Sequence, residues 1–379
     1  MTITDREFTS VEICAGAGGQ ALGLERAGFE HALLIEMDKS ACETLRFNRP
    51  SWNVLEEDLR EYVRSEAAKD LAAKTSIDLL AGGVPCPPFS LAGKQLGRDD
   101  ERDLFPTMIK LAGQLNPSAI MIENVRGLMQ SKFDGYREEI IAELRKLGYE
   151  CDWRELQAGS FGVSQLRPRS ILVGLKPEFW RHFNKDSWYL PADDQVSALT
   201  VGELLAESMK KRGLTGKAFM DWFGKASKGI APTLVGGSKK HGGADLGPTR
   251  AKRAWADLGI CGLGVADEPD EKTGTTKNPA RDLGLGTDNG PMLTVFQAAM
   301  IQGFSPEPGE KQWEFMGRKT AAYRQVGNAF PPPVAKAVGL QIKRALNKRE
   351  DEKKVLSGSV PAPADSLHRA GDLVSAHVG

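Results

Sequence analysis

The sequence predicts an α/β fold: a doubly wound, mostly parallel sheet carrying a smaller inserted unit. Three observations carry this. Through the first 175 residues, short apolar runs rich in β-formers alternate with helical patterns. Those runs are near-continuously apolar, as strands buried on both faces of a helix-covered sheet are. From about Lys176 to Gly290 the alternation fails, and regular structure resumes only beyond it.

The strands are read at "TSVEICAG", "HALLIEMD", "SIDLLAGG", "SAIMIENV" and "SILVGLK". The intervening helices are "GGQALGLERAG", "SACETLRFN", "LFPTMIKLAGQL" and "GYREEIIAELRKLG". In the return segment, "MLTVFQAAMIQGF" is regular again. "PPPVAKAVGLQIKRALNKRE" opens on prolines that suit a helix start and carries Val334, Val338, Ile342 and Leu346 as a core-facing stripe. The division expected is 1–175 for a catalytic and cofactor-binding domain, 176–290 for an inserted domain, 291–348 for the return segment and 349–379 for a disordered tail.

Composition narrows the class. No apolar run approaches the roughly 20 residues of a bilayer span, and "MTITDREFTS" lacks a signal core, so a cytoplasmic protein without membrane contact is expected. The five cysteines, at 14, 42, 86, 151 and 261, show neither a CxxC pair nor zinc-site spacing, which speaks against a structural metal or a disulfide framework. Fifty basic residues cancel fifty acidic ones, yet Ser208 to Trp255 holds eleven Lys and Arg against two acids, a net of +9. Such a stretch suits nucleic acid as well as a solvated face.

Ligands of such sheets bind at the carboxyl ends of the strands. "EICAGAGGQALGLERAGF" sets Gly16, Gly18 and Gly19 in a strand-to-helix turn where a backbone can approach a ligand. Glu36, twenty residues after Gly16, ends the second strand, where it could accept from a ribose diol. That pattern fits NAD and S-adenosylmethionine equally. Asp58 could accept from an adenine amino group, with Cys14 and Met37 as soft flanking surfaces, although Cys14 fits equally as a small buried residue.

The rest of the chain breaks the tie. "GGVPCPPFS" frames Cys86 with Pro85, Pro87 and Pro88, which restrict the backbone around a thiol, as a nucleophile with a fixed line of attack requires. "MIENV" ends the next strand on Glu123, a candidate proton donor to a ring nitrogen. "SQLRPRS" alternates Gln165, Arg167 and Arg169, placing all three on one face if the segment is a strand. Together a thiolate could attack carbon 6 of a cytosine, an acid could engage nitrogen 3, and a guanidinium could hold the carbonyl oxygen, leaving carbon 5 able to take a methyl group from a sulfonium.

With these motifs in order, the chain resembles the DNA (cytosine-5)-methyltransferases of the bacterial restriction-modification type. The resemblance covers about residues 9–175 and 291–345, through "AGAGG", "IEMD", "PCPPFS", "RDLF", "ENV", "QLRPR", "IQGF" and "QVGNAFPPPVA". It implies a Rossmann-like methyltransferase fold, S-adenosyl-L-methionine as cofactor, and an inserted target-recognition domain. Cys86 would be the nucleophile, Glu123 the ring-nitrogen contact, and Arg167 and Arg169 the arginines near the base. The cofactor set would comprise Cys14, Ala15, Gly16, Gly18, Gly19, Glu36, Met37, Asp58, Leu59, Pro85, Leu104, Asn328 and Ala329.

The partner implied is double-stranded DNA, bound by a monomer that protects sites from a cognate endonuclease without a stable complex. Its target cytosine must be flipped out of the helix, and "LAGKQLGRDDERDLF", with Gly93 and Gly97 as hinges, is expected to close over it. Ser90 and Gln165 are expected at DNA. In "GGSKKHGGADLGPTRAKRAW", Lys239, Lys240, Lys252 and Arg253 would meet phosphates, while Arg250 or His241 would read guanine. The inserted region resembles modification enzymes for GC-rich palindromes without defining a particular site.

Cys14 stands where the family usually has an aromatic, Met37 where a larger apolar residue is common, and Val84 and Pro87 where Pro and Gln are more frequent. Phe296 and Gln297 replace a usual Arg-Glu pair, which bears on how the inserted domain is braced. An RNA cytosine-5 methyltransferase, an inactive DNA-binding protein of the same fold and an NAD oxidoreductase are the competing readings.

Overall fold

A computed structural model describes residues 7–85, 103–183, 197–236, 244–270 and 272–356. Its centre is a seven-stranded sheet: β1 (Phe8–Ile13), β2 (Phe29–Glu36), β3 (Val54–Glu56), β4 (Leu79–Gly83), β5 (Ala119–Val125), β6 (Glu150–Gln157) and β7 (Pro168–Leu175). The order is β3-β2-β1-β4-β5-β7-β6. β1 to β5 pair in parallel, and β7 runs antiparallel between β5 and β6. The expected mostly parallel, doubly wound sheet is what forms, joined by two strands the sequence patterns did not mark, β3 and β6.

Strand periodicity sorts the core into two layers. On β4 and β5, Leu80, Ile120 and Ile122 face one apolar cluster, while Leu79, Ala81, Ala119 and Met121 face the other. Helices cover both. After β1 comes α1 (Gly19–Arg26), after β2 comes α2 (Lys39–Asn48), and α3 (Leu59–Arg64) with α4 (Ala67–Lys74) lead into β4. α5 (Phe105–Leu115) precedes β5 and α6 (Asp134–Lys146) precedes β6. Asp38 caps α2 by accepting from the Ala41 amide, and Asp58 caps α3 by accepting from the Arg60 amide.

Past β7, the short α7 (Pro177–Trp180) leads to α8 (Val201–Lys211), α9 (Gly216–Ala226), α10 (Thr249–Asp257) and α11 (Pro279–Asp282). The return segment holds α12 (Val295–Gln302), α13 (Lys319–Asn328) and α14 (Pro332–Leu356). Pro332 and Pro333 open α14, and Val334, Val338, Ile342 and Leu346 are buried along it. Burying each such side chain contributes about 1.5–3 kcal/mol. α14 continues past Glu350 to Leu356, so the start of the expected tail is helical.

The inserted region does not keep an apolar core to itself. Val201, Leu205, Trp222, Leu234 and Trp255 belong to one buried cluster with Ala21 and Leu22 of α1 and with Ile301, Tyr323 and Val326 of the return segment. No described helix is long and apolar enough to cross a membrane.

Candidate active site

Because β1 leads outward to β2 and β3 on one side while β4 and β5 lie on the other, the strand order reverses between β1 and β4. The carboxyl ends of those strands part there, leaving a crevice. A cavity of about 810 Å³ occupies it, within the range of cofactor sites. Cys14, Ala15, Gly16 and Gly19 line it from the first turn, Glu36 and Met37 from the end of β2, and Asp58 and Leu59 from the start of α3. Pro85, Leu104 and Glu123 line it beyond β4, and Asn328 and Ala329 close it from the end of α13.

The three glycines of the turn do different work. Gly16 has φ +54° and nothing within 4 Å of where a Cβ would stand, so it opens onto the cavity. Gly18 does not line the cavity; with φ +85°, its missing Cβ leaves room for Leu45 and Trp313, and it serves packing rather than a ligand. A Cβ on Gly19 would lie 2.1 Å from the Phe330 carbonyl oxygen, so this glycine lets α1 meet the return segment.

Glu36 holds the turn in shape. Its Oε2 accepts from the Gly16 amide at 2.7 Å, and its Oε1 accepts from the amides of Met37 and Asp38 at 2.9 and 2.7 Å. Asp58, besides capping α3, takes Arg60 Nη1 at 3.1 Å. Met37 is 70% exposed at the rim. Cys14 has φ +50°, and burial pushes its thiol up to about 12, helped by the charges of Glu36 and Asp58. It therefore stays a neutral, soft surface.

Two buried polar residues of this cavity carried little mark in the sequence. Glu12, inside the apolar run of β1, is 1% exposed, and burial raises its carboxyl well above the usual range despite a hydrogen bond from the Ala21 backbone. Its Oε2 and the Oε1 of Gln20 are buried without a partner among the described residues, and both side chains line the cavity. A buried orphan acceptor is costly unless something fills the space beside it. The one signal available was a carboxylate where the strand pattern called for an apolar side chain.

At the ends of β4 and β5, Asn124 Nδ2 donates to the Val84 carbonyl at 2.8 Å, tying the start of the proline-framed loop to the neighbouring strand. A Cβ on Gly83 would sit 3.2 Å from Glu123 Oε2, so the glycine leaves this carboxylate its place. Glu123 pairs with Arg169 across the β5–β7 contact, Nε to Oε1 at 2.7 Å, with the two side chains 14% and 12% exposed. Burial raises the Glu123 carboxyl, and the charges of Arg169 and Arg167 pull it back.

Of the alternating side chains of "QLRPR", Gln165 and Arg167 meet each other at Leu234, whereas Arg169 turns to Glu123. β7 begins only at Pro168, and Gln165 instead forms an isolated bridge with Ala231. Gln165 is fully buried, donates to Gln302 Oε1 at 2.7 Å and accepts from the Leu234 amide at 2.7 Å, so it is no DNA-facing contact here. Arg167, 1% exposed, donates to the carbonyls of Leu234 (2.7 Å), Gly327 (2.8 Å) and Ala329 (2.9 Å) rather than into the cavity. Of the two arginines, Arg169 is the one set beside Glu123.

In the inserted region Arg250 and Arg253 are exposed on one side of α10, which buried Trp255 anchors. Lys252 is held by Asp245, Nζ to Oδ2 at 2.7 Å, and so acts first within the region itself. The Phe296 and Gln297 departure is resolved differently from an Arg-Glu pair: buried Gln297 accepts from Arg212 Nη1 at 2.7 Å, and the Phe296 amide donates to Glu268. Cys86, Ser90, Lys239, Lys240 and His241, together with residues 91–102 of the expected closing loop, lie outside the described residues.

Comparison with known proteins identifies the family. The family model described as C-5 cytosine-specific DNA methylase matches residues 8–344. The chain is 50% identical over 337 residues to the type II methyltransferase M.NaeI of Lentzea aerocolonigenes, covering 89% of this chain and 75% of that protein. It is 49% identical over 346 residues to the type II methyltransferase M.NgoMIV of Neisseria gonorrhoeae, covering 90% and 99%. Among solved structures, the S. pombe Dnmt2 methyltransferase shares the fold with a TM-score of 0.55 at 16% identity, over 90% of this chain and 99% of that one. The chain belongs to the C-5 cytosine-specific DNA methylase family.

Proposed function

We propose that this member of the cytosine-5 DNA methylases modifies a short duplex sequence with S-adenosyl-L-methionine, using Cys86 as nucleophile. The observation that carries the reading is the cavity at the β1/β4 crevice, with Glu123 in its wall and Arg169 paired to that carboxylate. The residues present suit the cofactor. Cys14, Met37 and Leu59 offer apolar surface to an adenine, Glu36 and Asp58 offer acceptors to hydroxyl and amino groups, and the orphaned Glu12 Oε2 suits an ammonium. When bound, the cofactor supplies an electrophilic methyl group.

The protein's own groups account for the remaining chemistry. The Cys86 thiolate adds to carbon 6 of the flipped cytosine. Glu123, its carboxyl raised by burial, engages nitrogen 3 as a hydrogen-bond donor, while Arg169 steadies that carboxyl and reaches the ring oxygen. Electron density gathers at carbon 5, which accepts the methyl group. Loss of the carbon 5 proton to a base and β-elimination of Cys86, with the C–S electron pair leaving on sulfur, then regenerate the thiolate.

Residues 176–290 serve as target-recognition domain, with the exposed Arg250 and Arg253 and the basic "GGSKKHGG" stretch toward DNA. The relatives named as type II methyltransferases support a role beside a restriction endonuclease, in the cytoplasm. The deciding experiment is transfer of labelled methyl groups from S-adenosylmethionine to unmethylated duplex DNA, with modified positions mapped by sequencing. Label on cytosine carbon 5 at one short motif, lost in Cys86→Ala, is the expected result. Transfer that survives Cys86→Ala would remove the covalent mechanism.

A further inference from the structure

Three segments meet at one buried guanidinium. Arg167 Nη1 donates to the Leu234 carbonyl in the inserted region, and Nη2 donates to the carbonyls of Gly327 and Ala329 at the end of α13. The Ala329 carbonyl also accepts from Gln302 Nε2, and Gln302 is bonded to Gln165, whose Oε1 holds the Leu234 amide. Asn328 and Ala329 line the cofactor cavity; Leu234 does not.

Backbone contact reinforces this polar joint. A Cβ on Gly236 would fall 2.2 Å from Asn328 Oδ1, and one on Gly327 would fall 2.5 Å from the Gly236 nitrogen, so the two chains touch where only glycine fits. Segment 231–236 thus rests on the turn that walls the cavity. By sequence it runs on directly to Lys239 and Lys240.

We propose that Arg167 is a positioning residue that couples the cofactor cavity to the DNA-facing inserted segment, so that occupation of either raises affinity for the other. The proposal rests on the functional reading above. A ligand that fixes Asn328 and Ala329 fixes the carbonyls Arg167 bridges, and through them Leu234 and Gly236. Linkage makes the effect reciprocal: the factor by which S-adenosylhomocysteine tightens duplex binding equals the factor by which duplex tightens S-adenosylhomocysteine.

Calorimetry with S-adenosylhomocysteine, with and without a saturating unmethylated duplex that the enzyme methylates, measures that factor. In the wild type it is expected to be about 5-fold or more; in Arg167→Lys, which keeps the charge but replaces the two-nitrogen fork that holds the three carbonyls by a single nitrogen, it is expected to fall toward one. A wild-type factor of one, or a factor kept in the variant, overturns the proposal. Hydrogen exchange on wild-type protein provides a second measurement should the variant not fold. S-adenosylhomocysteine alone should slow exchange of the Ala231 and Leu234 amides, which are bonded to Ser164 O and Gln165 Oε1. Unchanged exchange there, with protection at the cavity wall, overturns it as well. Absence of S-adenosylhomocysteine binding would fail the cofactor reading itself and this proposal with it, whereas binding without coupling fails only the latter.

Discussion

Arg169 Nε stands 2.7 Å from Glu123 Oε1, joining two adjacent strand ends by an ion pair almost removed from water. The pair is poised between opposing effects. Burial favours the neutral carboxyl, and the guanidinium favours the charged one. An acid placed so can hold or release a proton as the charge of a group beside it changes.

Removing the arginine tips the balance. In Arg169→Met the Glu123 carboxyl rises further above its unfolded value. Folding then takes up a proton, so stability is greatest at low pH and is lost as pH rises through the folded value. An unpaired buried carboxylate costs about 3–5 kcal/mol. Urea unfolding should therefore show a larger deficit for this variant at pH 8 than at pH 5, and an equal deficit would mean that Glu123 is not held charged by Arg169.

The glycine turn gives a pair of contrasting outcomes. Alanine at either Gly16 or Gly18 must adopt positive φ, at about 1–2 kcal/mol. Gly18→Ala must also displace Leu45 and Trp313, which lie 2.7 and 2.8 Å from the new methyl, adding about 1–3 kcal/mol of overpacking. Gly16→Ala meets open cavity and should lose cofactor affinity beyond its stability deficit. Denaturation and S-adenosylhomocysteine calorimetry on both variants separate the two roles; the same loss pattern in each would contradict them.

Cys14 lines the cavity as a neutral thiol. Cys14→Phe should tighten S-adenosylmethionine binding by the worth of a stacked ring, about 0.5–1.5 kcal/mol, or about 2- to 10-fold. The backbone there, at φ +50°, takes some of that back in stability. Unchanged or weaker binding in calorimetry would show that the adenine does not lie against position 14.

Arg212 is 6% exposed, and Gln297 is its one side-chain oxygen partner within hydrogen-bond reach among the described residues. Gln297→Ala should cost about 1.5–3 kcal/mol, the worth of a hydrogen bond to a buried charge. Gln297→Glu should lose less than Gln297→Ala, because it keeps the acceptor toward Arg212 with a compensating charge and gives up the Nε2 donation to Ser208 Oγ. Equal losses in both, by urea unfolding, would show that Arg212 does not depend on position 297.

Much of this site was legible because its chemistry sits at strand ends, where apolar runs stop at an unusual residue: Gly16, Glu36, Pro85, Glu123. What escaped did so for physical reasons. β3 is three residues long, and β6, "ECDWRELQ", is a half-exposed edge strand without the continuous apolar signature. Alternation in "QLRPR" suggested one face, but alternation has that meaning only within a strand, and β7 starts at Pro168. The partners that decide Arg167, at Leu234, Gly327 and Ala329, lie 67 to 162 residues away and leave no local pattern.

His31 supplies a pH dependence remote from the cavity chemistry. Its Nε2 donates to the Ala21 carbonyl at 3.0 Å, so Nδ1 is the acceptor and takes the Ser10 hydroxyl at 2.8 Å. Trp52 meets the ring edge-on. This packing fixes the neutral ring, and burial lowers its pKa from 6.5 to about 4. Since the unfolded chain binds the proton first, the contribution of the neutral ring is complete above pH 6.5 and is lost as pH falls from there toward about 4. The full effect is about 3 kcal/mol, from 1.36 kcal/mol per unit. His31→Gln gives up hydrogen bonds at neutral pH but loses this titration, so its stability should fall less steeply than that of the wild type between pH 6.5 and 5. Urea midpoints for both proteins across that interval test it, because other carboxylates contribute equally to each; parallel slopes would show that His31 already carries its proton in the folded state.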